Sequence, residues 1–162
     1  MTDTTITTLP AAPLHALEVW SNPAAVGARF QAAFTAALPA MARSLQLPAM
    51  RLIRVEPTVW LIEGDVAGLA EVLGADGSLT AVGGGVVRVR LAGPGWRSLL
   101  MEGGVFDAES AQFSTGCSAA TLIDHVNVRL LVESEDSCLA YVPLSYAPDM
   151  IHFWQVATTT LP

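Results

Sequence analysis

The chain has 162 residues, of which 52% are hydrophobic and 14% are charged, and its formal net charge is −7. Ordinary globular chains carry about 25% charged residues, so this chain is poor in charge. All eight basic residues are arginines, and they form no basic run. Nucleic acids and anionic membranes both attract clustered Lys and Arg, so the composition argues against both kinds of partner.

The surplus of apolar residues has no lipid explanation in the sequence. Mean hydropathy is +0.47, yet no apolar run approaches the ~18 residues of a membrane-spanning helix. The N-terminal residues MTDTTITTLPAAP lack the features of a secretory signal, so we expect a cytoplasmic protein in which Cys117 and Cys138 are buried thiols. Since lone soluble proteins rarely expose large apolar patches, we expect another protein chain to cover part of this surplus. A compact, alanine-rich monomer is the alternative.

The first half of the chain is predicted to alternate between helices and strands. Residues 1–21 are rich in Thr, Pro and Ala without a period, and we expect them to be extended or disordered. Asn22 and Pro23 are typical of a helix start, and apolar residues follow at a spacing of four. The segments expected next are a hairpin around 56–58, a helix at 66–73 that Asp65 caps and Gly74 ends, and a strand at 79–82.

The stretch 86–100, VVRVRLAGPGWRSLL, changes from period two to helical spacing at a Gly-Pro corner. This change predicts a strand followed by a helix that begins at Pro94. Three further strands, at 117–123, 126–132 and 138–142, and a last helix from Pro148 complete the chain. The order predicts an α+β fold in which residues 22–162 form one domain of two related halves, each a largely antiparallel sheet with helices packed on one face.

Cys117, Asp124 and His125 are the residue types of a nucleophile and its base. However, Asp124-His125 is an ordinary turn pair between two predicted strands, and a triad needs convergence in space, so we favour a turn. His15 and His152 are isolated, and no two histidines or cysteines have metal-ligand spacing. We therefore predict no catalytic residue and no metal site.

Two glycine-containing segments are candidates for anion-binding loops. Gly83–Gly85 precedes a strand, whereas phosphate loops precede a helix whose N-terminal amides bind the anion. The corner at 93–95 does precede a helix, but Pro94 lacks one of the amide donors. Chain reversal is the favoured interpretation of this corner, and no cofactor-binding residue is predicted.

Arginines and tryptophans are the remaining candidates for contact with a ligand or partner. Trp60 and Trp154 are predicted in the core, while Trp96, in the first turn of a helix, is expected to be exposed to a partner. Four arginines lie on the polar faces of predicted strands, where cross-strand pairing is favoured over an arginine row that docks an acidic ligand. These are Arg54, Arg88, Arg90 and Arg129, and the carboxylates expected to pair with them are Glu56, Glu63 and Glu133.

Four segments, by their order and spacing, resemble the gamma subunit of heterotetrameric sarcosine oxidase. That family shows a Trp-Leu hairpin, an arginine-bearing strand that runs into a Gly-Pro corner and helix, a Thr-x-x-x-His strand boundary, and a strand that ends in a short corner before a C-terminal helix. The corresponding segments, which lie within residues 50–157, are RVEPTVWLIEG (54–64), VRVRLAGPGWRSLL (87–100), ATLIDHVNVRLL (120–131) and LAYVPLSYAPDMIHFW (139–154).

The resemblance implies a fold like the folate-binding domain of the glycine-cleavage aminomethyltransferase. It also implies a role as a non-catalytic gamma subunit in a complex that oxidatively demethylates sarcosine to glycine and passes the one-carbon unit to tetrahydrofolate. FAD, FMN, NAD and tetrahydrofolate would belong to larger flavoprotein subunits of alpha and beta type, and this chain would bind no cofactor.

Two alternatives stand beside this expectation. The first is a stand-alone folate-binding or aminomethyltransferase-like protein, which needs a cleft with a carboxylate for the pterin ring. The second is a structural protein that self-associates through its apolar surface when isolated.

Overall fold

The computed structural model describes residues 3–160. They form two compact units: a continuous unit of residues 12–83, and a discontinuous unit that joins residues 3–11 to residues 84–160. Short 3-10 turns lie at Gly83–Gly85 and Leu144–Tyr146. The other elements, in chain order, are β1 (Thr5–Thr8), β2 (Leu14–Val19), α1 (Pro23–Phe34), β3 (Ser44–Gln46), β4 (Met50–Glu56), β5 (Val59–Gly64), α2 (Leu69–Leu73), β6 (Gly77–Ala81), β7 (Val86–Ala92), α3 (Trp96–Met101), β8 (Ser118–Ile123), β9 (Val126–Ser134), β10 (Ser137–Pro143) and α4 (Ala147–Thr160).

The continuous unit is built on a five-stranded antiparallel sheet in the order β3-β4-β5-β2-β6. Alternation along β2 places Leu17 and Val19 on one face, where they share a buried cluster with Val26 and Phe30 of α1 and Leu69 of α2. Val26 and Phe30 are four residues apart, so they lie on the same stripe of the helix. Burying each such side chain stabilises the unit by about 1.5–3 kcal/mol, which is why the short helices form here.

The carboxylate of Asp76 ties the start of α1 to the turn between α2 and β6. One carboxylate oxygen accepts from the Arg29 guanidinium at 2.7 Å, and the other accepts from the Ser21 hydroxyl at 2.7 Å and the Asn22 amide at 2.8 Å. Arg29 also donates to the carbonyl of Val72 at 2.6 Å. The hydrogen bond from Arg29, aided by those from Ser21 and Asn22, lowers the pKa of Asp76 to about 2, because these donors favour the charged carboxylate.

The discontinuous unit is built on a second five-stranded antiparallel sheet, in the order β1-β7-β10-β9-β8. One face carries Leu91 of β7, Leu130 of β9 and Ala140 of β10, and these side chains share a buried cluster with Trp96 of α3 and Trp154 of α4. The period-two pattern of the strands therefore gives the sheet one apolar face, and α3 and α4 contribute side chains to the cluster on that face.

The N-terminal strand β1 completes this second sheet at its edge. It pairs with β7 in a register that places Thr5 opposite Ala92 and Thr8 opposite Val89. Next to that pairing, Gly93 has φ +117, and an added Cβ there would collide with the carbonyl oxygen of Asp3. Glycine is required at this corner because its backbone conformation is strained for L side chains and the N-terminal segment passes too close for a side chain.

The predicted fold class is confirmed: two antiparallel sheets, each with helices. Within the segment 1–21, which we expect from the sequence to be extended or disordered, the structure places the strands β1 and β2. Residues 1 and 2 of that segment lie outside the described residues. The same holds for residues 161 and 162 of the expected domain 22–162. Among residues 3–160, no helix combines the length and the apolar character that crossing a membrane requires.

Several helix boundaries differ from the sequence prediction. The side chain of Asn22 does not cap α1, because it donates to Asp76 instead, and Asn22 itself has φ 47. The helix expected from residue 66 begins at Leu69, and the helix expected from Pro94 begins at Trp96, with Gly95 at its N-cap. In both places a turn precedes the helix, and local capping signals do not distinguish such a turn from a first helical turn.

We predict that Asp76 makes stability depend on acid pH. Because its pKa is lowered to about 2, the folded state binds its proton more weakly than the unfolded chain, and the stabilisation is complete above the unfolded value of about 3.9 and is lost as pH falls through about 2. The difference in unfolding free energy between wild type and Asp76→Asn should therefore be largest near neutral pH and shrink between about pH 4 and 2, as measured by urea unfolding.

The control is Arg29→Gln, alone and combined with Asp76→Asn. The coupling free energy of this double-mutant cycle should shrink over the same pH range. A coupling that is equal at pH 7 and pH 2 would contradict the assignment.

Candidate functional site

The structure separates the candidate nucleophile from the candidate base. Cys117 immediately precedes β8, whereas Asp124 and His125 form the turn that joins β8 to β9 at its other end. The intervening extended strand spans roughly 20 Å at ~3.3 Å per residue. Both turn residues have positive φ, 44° for Asp124 and 67° for His125, so the turn interpretation is confirmed.

Both thiols lie inside the discontinuous unit. The Cys117 thiol donates to the carbonyl of Gln112 at 3.0 Å, and its side chain is 3% exposed. Cys138, in the central strand β10, is fully buried, and this burial raises its pKa far above the ordinary thiol value. Because the thiolate is the reactive form, Cys138 is poorly suited to nucleophilic chemistry.

His15 and His152 belong to different units. His15 lies in β2 and pairs with Ile62 and Ala81, while His152 lies on the exposed side of α4. Among residues 3–160, no group of three His, Cys, Asp or Glu side chains is placed to hold a metal ion.

Backbone groups of the Gly-Pro corner at 93–95 hydrogen-bond within the chain. The amide of Gly93 donates to the carbonyl of Asp136 at 2.9 Å, and the amide of Trp96 donates to the carbonyl of Gly93 at 3.2 Å. Helix α3 has six residues and offers little N-terminal field. The favoured interpretation, chain reversal, agrees with these contacts, and Gly83–Gly85 forms a 3-10 turn that leads into β7.

The predicted cross-strand pairing of arginine with glutamate is confirmed for one pair. Arg90 of β7 reaches over β10 to Glu133 of β9, with nitrogen–oxygen distances of 2.7 and 3.2 Å. Arg88 donates to the carbonyl of Pro10, and Arg54 donates to the carbonyl of Pro57. Arg54 also lies over the ring of Trp60, 4.8 Å from its centroid, in the geometry of a cation–π contact.

The structure confirms two of the three positions that the sequence predicts for tryptophans and contradicts the third. Trp60 and Trp154 lie in the core as expected, but the prediction that Trp96 is exposed is wrong. Trp96 is 1% exposed, its indole nitrogen donates to the carbonyl of Glu135 at 2.9 Å, and Arg97 lies over its ring. Trp20 is the exposed one, at 60%. Its indole nitrogen nevertheless donates to the carbonyl of Ala75 at 3.1 Å, so neither a position beside a helix start nor this kind of hydrogen bond decides whether the ring is buried.

Two open clefts in the continuous unit are the concave features of interest. They have volumes of about 190 and 240 Å³ and share the segment 48–50. The smaller cleft is lined by Phe34 and Asp65, and the larger by Arg51 and Glu63. Small-molecule sites usually enclose about 300–1,000 Å³, so both clefts are too small and too open to bury a cofactor-sized ligand.

Exposed apolar side chains mark a different kind of candidate site. In the discontinuous unit, Val105 is 76% exposed and Leu122 is 42% exposed, and an isolated bridge between Gly104 and Ile123 brings their two segments together. Sequence reasoning missed this pair, because only the bridge makes neighbours of residues 17 positions apart. An exposed apolar patch suits contact with another protein better than it suits catalysis.

Solved structures with the same fold give this geometry its context. A chain of the heterotetrameric sarcosine oxidase from Corynebacterium sp. U-96, in complex with pyrrole 2-carboxylate, matches with a TM-score of 0.84 and 17% identity, over 96% of this chain and 84% of that chain. The aminomethyltransferase T of the glycine cleavage system from Bartonella henselae matches with a TM-score of 0.65 and 15% identity, over 94% of this chain and 45% of that one.

These likenesses establish a shared fold, which agrees with the fold that the sequence motifs imply. This chain spans about half the length of the aminomethyltransferase but is similar in length to the matched sarcosine oxidase chain. No family model matches the sequence, and no curated protein matches it.

We predict that Cys138 is inert in the folded protein. Burial raises its pKa, so the thiol stays protonated at pH 8. Burial also keeps the reagent from contacting the sulfur. In a Cys117→Ser variant, which leaves Cys138 as the remaining thiol, an aromatic disulfide reagent should modify the native protein far more slowly than the urea-unfolded protein. Rapid modification of one equivalent in the native variant would contradict the prediction.

Proposed function

We propose that this chain is a non-catalytic gamma-type subunit of a sarcosine-oxidase-like complex, which demethylates sarcosine oxidatively to glycine and passes the one-carbon unit to tetrahydrofolate. The observation that carries the proposal is the likeness, over 96% of this chain and 84% of the other, to a chain of a heterotetrameric sarcosine oxidase. The order of the sequence motifs supports the same relation.

The use of polar side chains within the described residues also supports an accessory role. Cys117 lies one strand length away from Asp124 and His125, and the amide of the Gly93 corner is bonded to Asp136. Catalysis needs a nucleophile, a base and an oxyanion site within hydrogen-bond reach of one substrate position. The Cys117 thiol and the Gly93 amide instead donate to backbone carbonyls of the chain itself, those of Gln112 and Asp136.

The proposal assigns the redox chemistry to larger partner subunits of alpha and beta type. FAD, FMN, NAD and tetrahydrofolate would be held there and not by this chain, whose clefts of about 190 and 240 Å³ are small for such molecules. The complex would work in the cytoplasm.

The likeness to an aminomethyltransferase favours one alternative, a stand-alone protein that binds folate. The cleft beside Phe34 contains the carboxylate of Asp65, which is the kind of group that a pterin ring needs. Titration of tetrahydrofolate into the purified chain, followed by calorimetry, separates the two functions. Saturable binding at sub-millimolar ligand that Asp65→Asn abolishes would favour the alternative.

We predict that the full-length tagged chain, expressed in its native host, co-purifies with two larger chains in fixed ratio and with bound flavin. Mass spectrometry identifies the chains, and absorbance near 450 nm together with sarcosine-dependent peroxide formation identifies the complex. A tagged, unrelated acidic protein expressed at the same level is the control. Recovery of a monomer without larger chains at native expression would contradict the proposed function.

A further inference from the structure

Trp20 is the exposed member of the four tryptophans, and the chain around it fixes its position. Its side chain is 60% exposed, whereas the other three are buried. The indole N–H donates to the carbonyl of Ala75 at 3.1 Å, and the backbone amide of Trp20 donates to the carbonyl of Asp76 at 3.0 Å. Because the N–H edge of the ring is bonded to this turn, the ring presents mainly its carbon surface to solvent.

The turn bonded to the ring is anchored by the Asp76 carboxylate, which accepts from Ser21, Asn22 and Arg29. Arg29 also donates to the carbonyl of Leu73 at 3.1 Å, so hydrogen bonds hold the segment before β6 at both of its ends. A ring held in this way loses little conformational freedom on binding. Tryptophan is also among the residues that contribute most of the binding energy in protein interfaces. The position therefore suits an anchor for another protein.

Glu18 lies next to Trp20 on the same face of the sheet. The hydrogen bond from Trp20 to Asp76 continues the ladder between β2 and β6 by one residue. Along this stretch Leu17 and Val19 are buried with α1 and α2, while Glu18 and Trp20 are exposed. Since the side chains of a strand alternate between faces, the carboxylate and the ring project to the same face, from Cα atoms roughly 7 Å apart at ~3.3 Å per residue.

The arginines of the continuous unit do not neutralise Glu18. Arg29, which reaches the turn beside the ring, forms an ion pair with Asp76 at 2.7 Å. The strand β5 separates β2 from β3 and β4, which carry or closely follow the other three arginines of the unit, namely Arg43, Arg51 and Arg54. Among residues 3–160, the Glu18 carboxylate takes part in no ion pair. The surface beside the ring therefore carries a negative charge.

We propose that Trp20 and Glu18 form a docking site for an arginine side chain of a larger partner subunit. The guanidinium stacks on the exposed face of the indole ring and donates hydrogen bonds to the Glu18 carboxylate. A guanidinium is flat and carries its donors in a fixed fork, so it can stack on an aromatic ring and bind a carboxylate at the same time. The inference rests on the proposed function, since it locates one contact that joins the complex.

The source of the arginine is a different chain. All eight arginines of this chain already interact with groups of the chain itself, and the chain contains no lysine. A second copy would therefore offer a side chain that its own fold already uses, which favours a partner subunit as the source.

The contribution of the ring is tested by competition for assembly. Wild-type and variant full-length chains are co-expressed with the larger chains, and mass spectrometry gives their ratio in the purified complex relative to the lysate. Trp20→Ala should be recovered on the order of tenfold or more below wild type, as expected for the loss of an interface anchor. Trp20→Phe keeps a smaller ring and should lie between the two. Met41→Ala is the control, because Met41 is 49% exposed in the same unit, and it should compete equally with wild type.

Oxidation of side chains by hydroxyl radicals reports the same contact without a substitution. In the purified complex, Trp20 should be oxidised severalfold more slowly than in the isolated full-length chain, because the docked side chain covers its ring. Met41 is the internal control and should be oxidised equally in both samples. This measurement also decides the question if Trp20→Ala fails to fold.

The charge of the docked side chain is tested with Glu18→Gln, which keeps the shape of the side chain. This variant should compete severalfold less well than wild type at low ionic strength, and the deficit should shrink at about 0.5 M salt, where such charges are screened. Glu109→Gln, which removes the same charge from the other unit, is the control and should compete equally. If Glu18→Gln also competes equally at low ionic strength, the docked group is not a cation and the proposal is overturned.

The outcomes separate this inference from the proposed function. If the flavin-containing complex forms but Trp20 is oxidised in it as fast as in the isolated chain, the docking site is wrong and the function stands. If Trp20 becomes protected in the isolated chain as its concentration rises, with a dimer in light scattering, the site binds a second copy and the inference is overturned. If no larger chain is bound at native expression, both fall together.

Discussion

Arginine side chains are the strongest anion binders of this chain. Three of them donate hydrogen bonds to carbonyl and carboxylate oxygens of the chain itself. Arg29 holds Asp76 and the end of α2, and Arg90 holds Glu133 across the central strand of its sheet. Arg97 reaches from α3 to the carbonyls of Ala108 and Phe113, which fixes the long loop before β8. A planar guanidinium presents several donors in a fixed geometry, and in these three arginines the acceptors belong to the chain itself, so the side chains hold elements of the fold together.

Much of the fold could be predicted because its strands carry a clear period and its turns carry their usual residues. The hairpin around Pro57, the alternation from Val86 to Ala92 and the strands β8 to β10 all appear close to their predicted positions. The N-terminal strands were not assigned, because β1 is a polar Thr-rich segment whose pairing partner lies more than eighty residues further along the chain. Local propensity carries no information on such a distant pairing.

The candidate site was harder to predict than the fold, for the same physical reason. Whether Cys117 meets His125, or Val105 meets Leu122, depends on strand register and on a single bridge, neither of which composition encodes. Trp20 and Trp96 show the limit clearly: both lie beside a helix start and both indole nitrogens donate to a backbone carbonyl, yet only Trp96 packs in the buried cluster of its unit. Residue type indicates what a side chain can do, while distant parts of the chain decide what it does.

The placement of β1 has a consequence for synthesis on the ribosome. Its partner β7 is synthesised only after residues 12–83, so the continuous unit can fold while β1 still has no strand to pair with. The pairing of β1 with β7 therefore spans one of the longest separations in the chain, and such non-local pairing is slow. A bulky N-terminal fusion would hinder this step more than the same fusion at the other end.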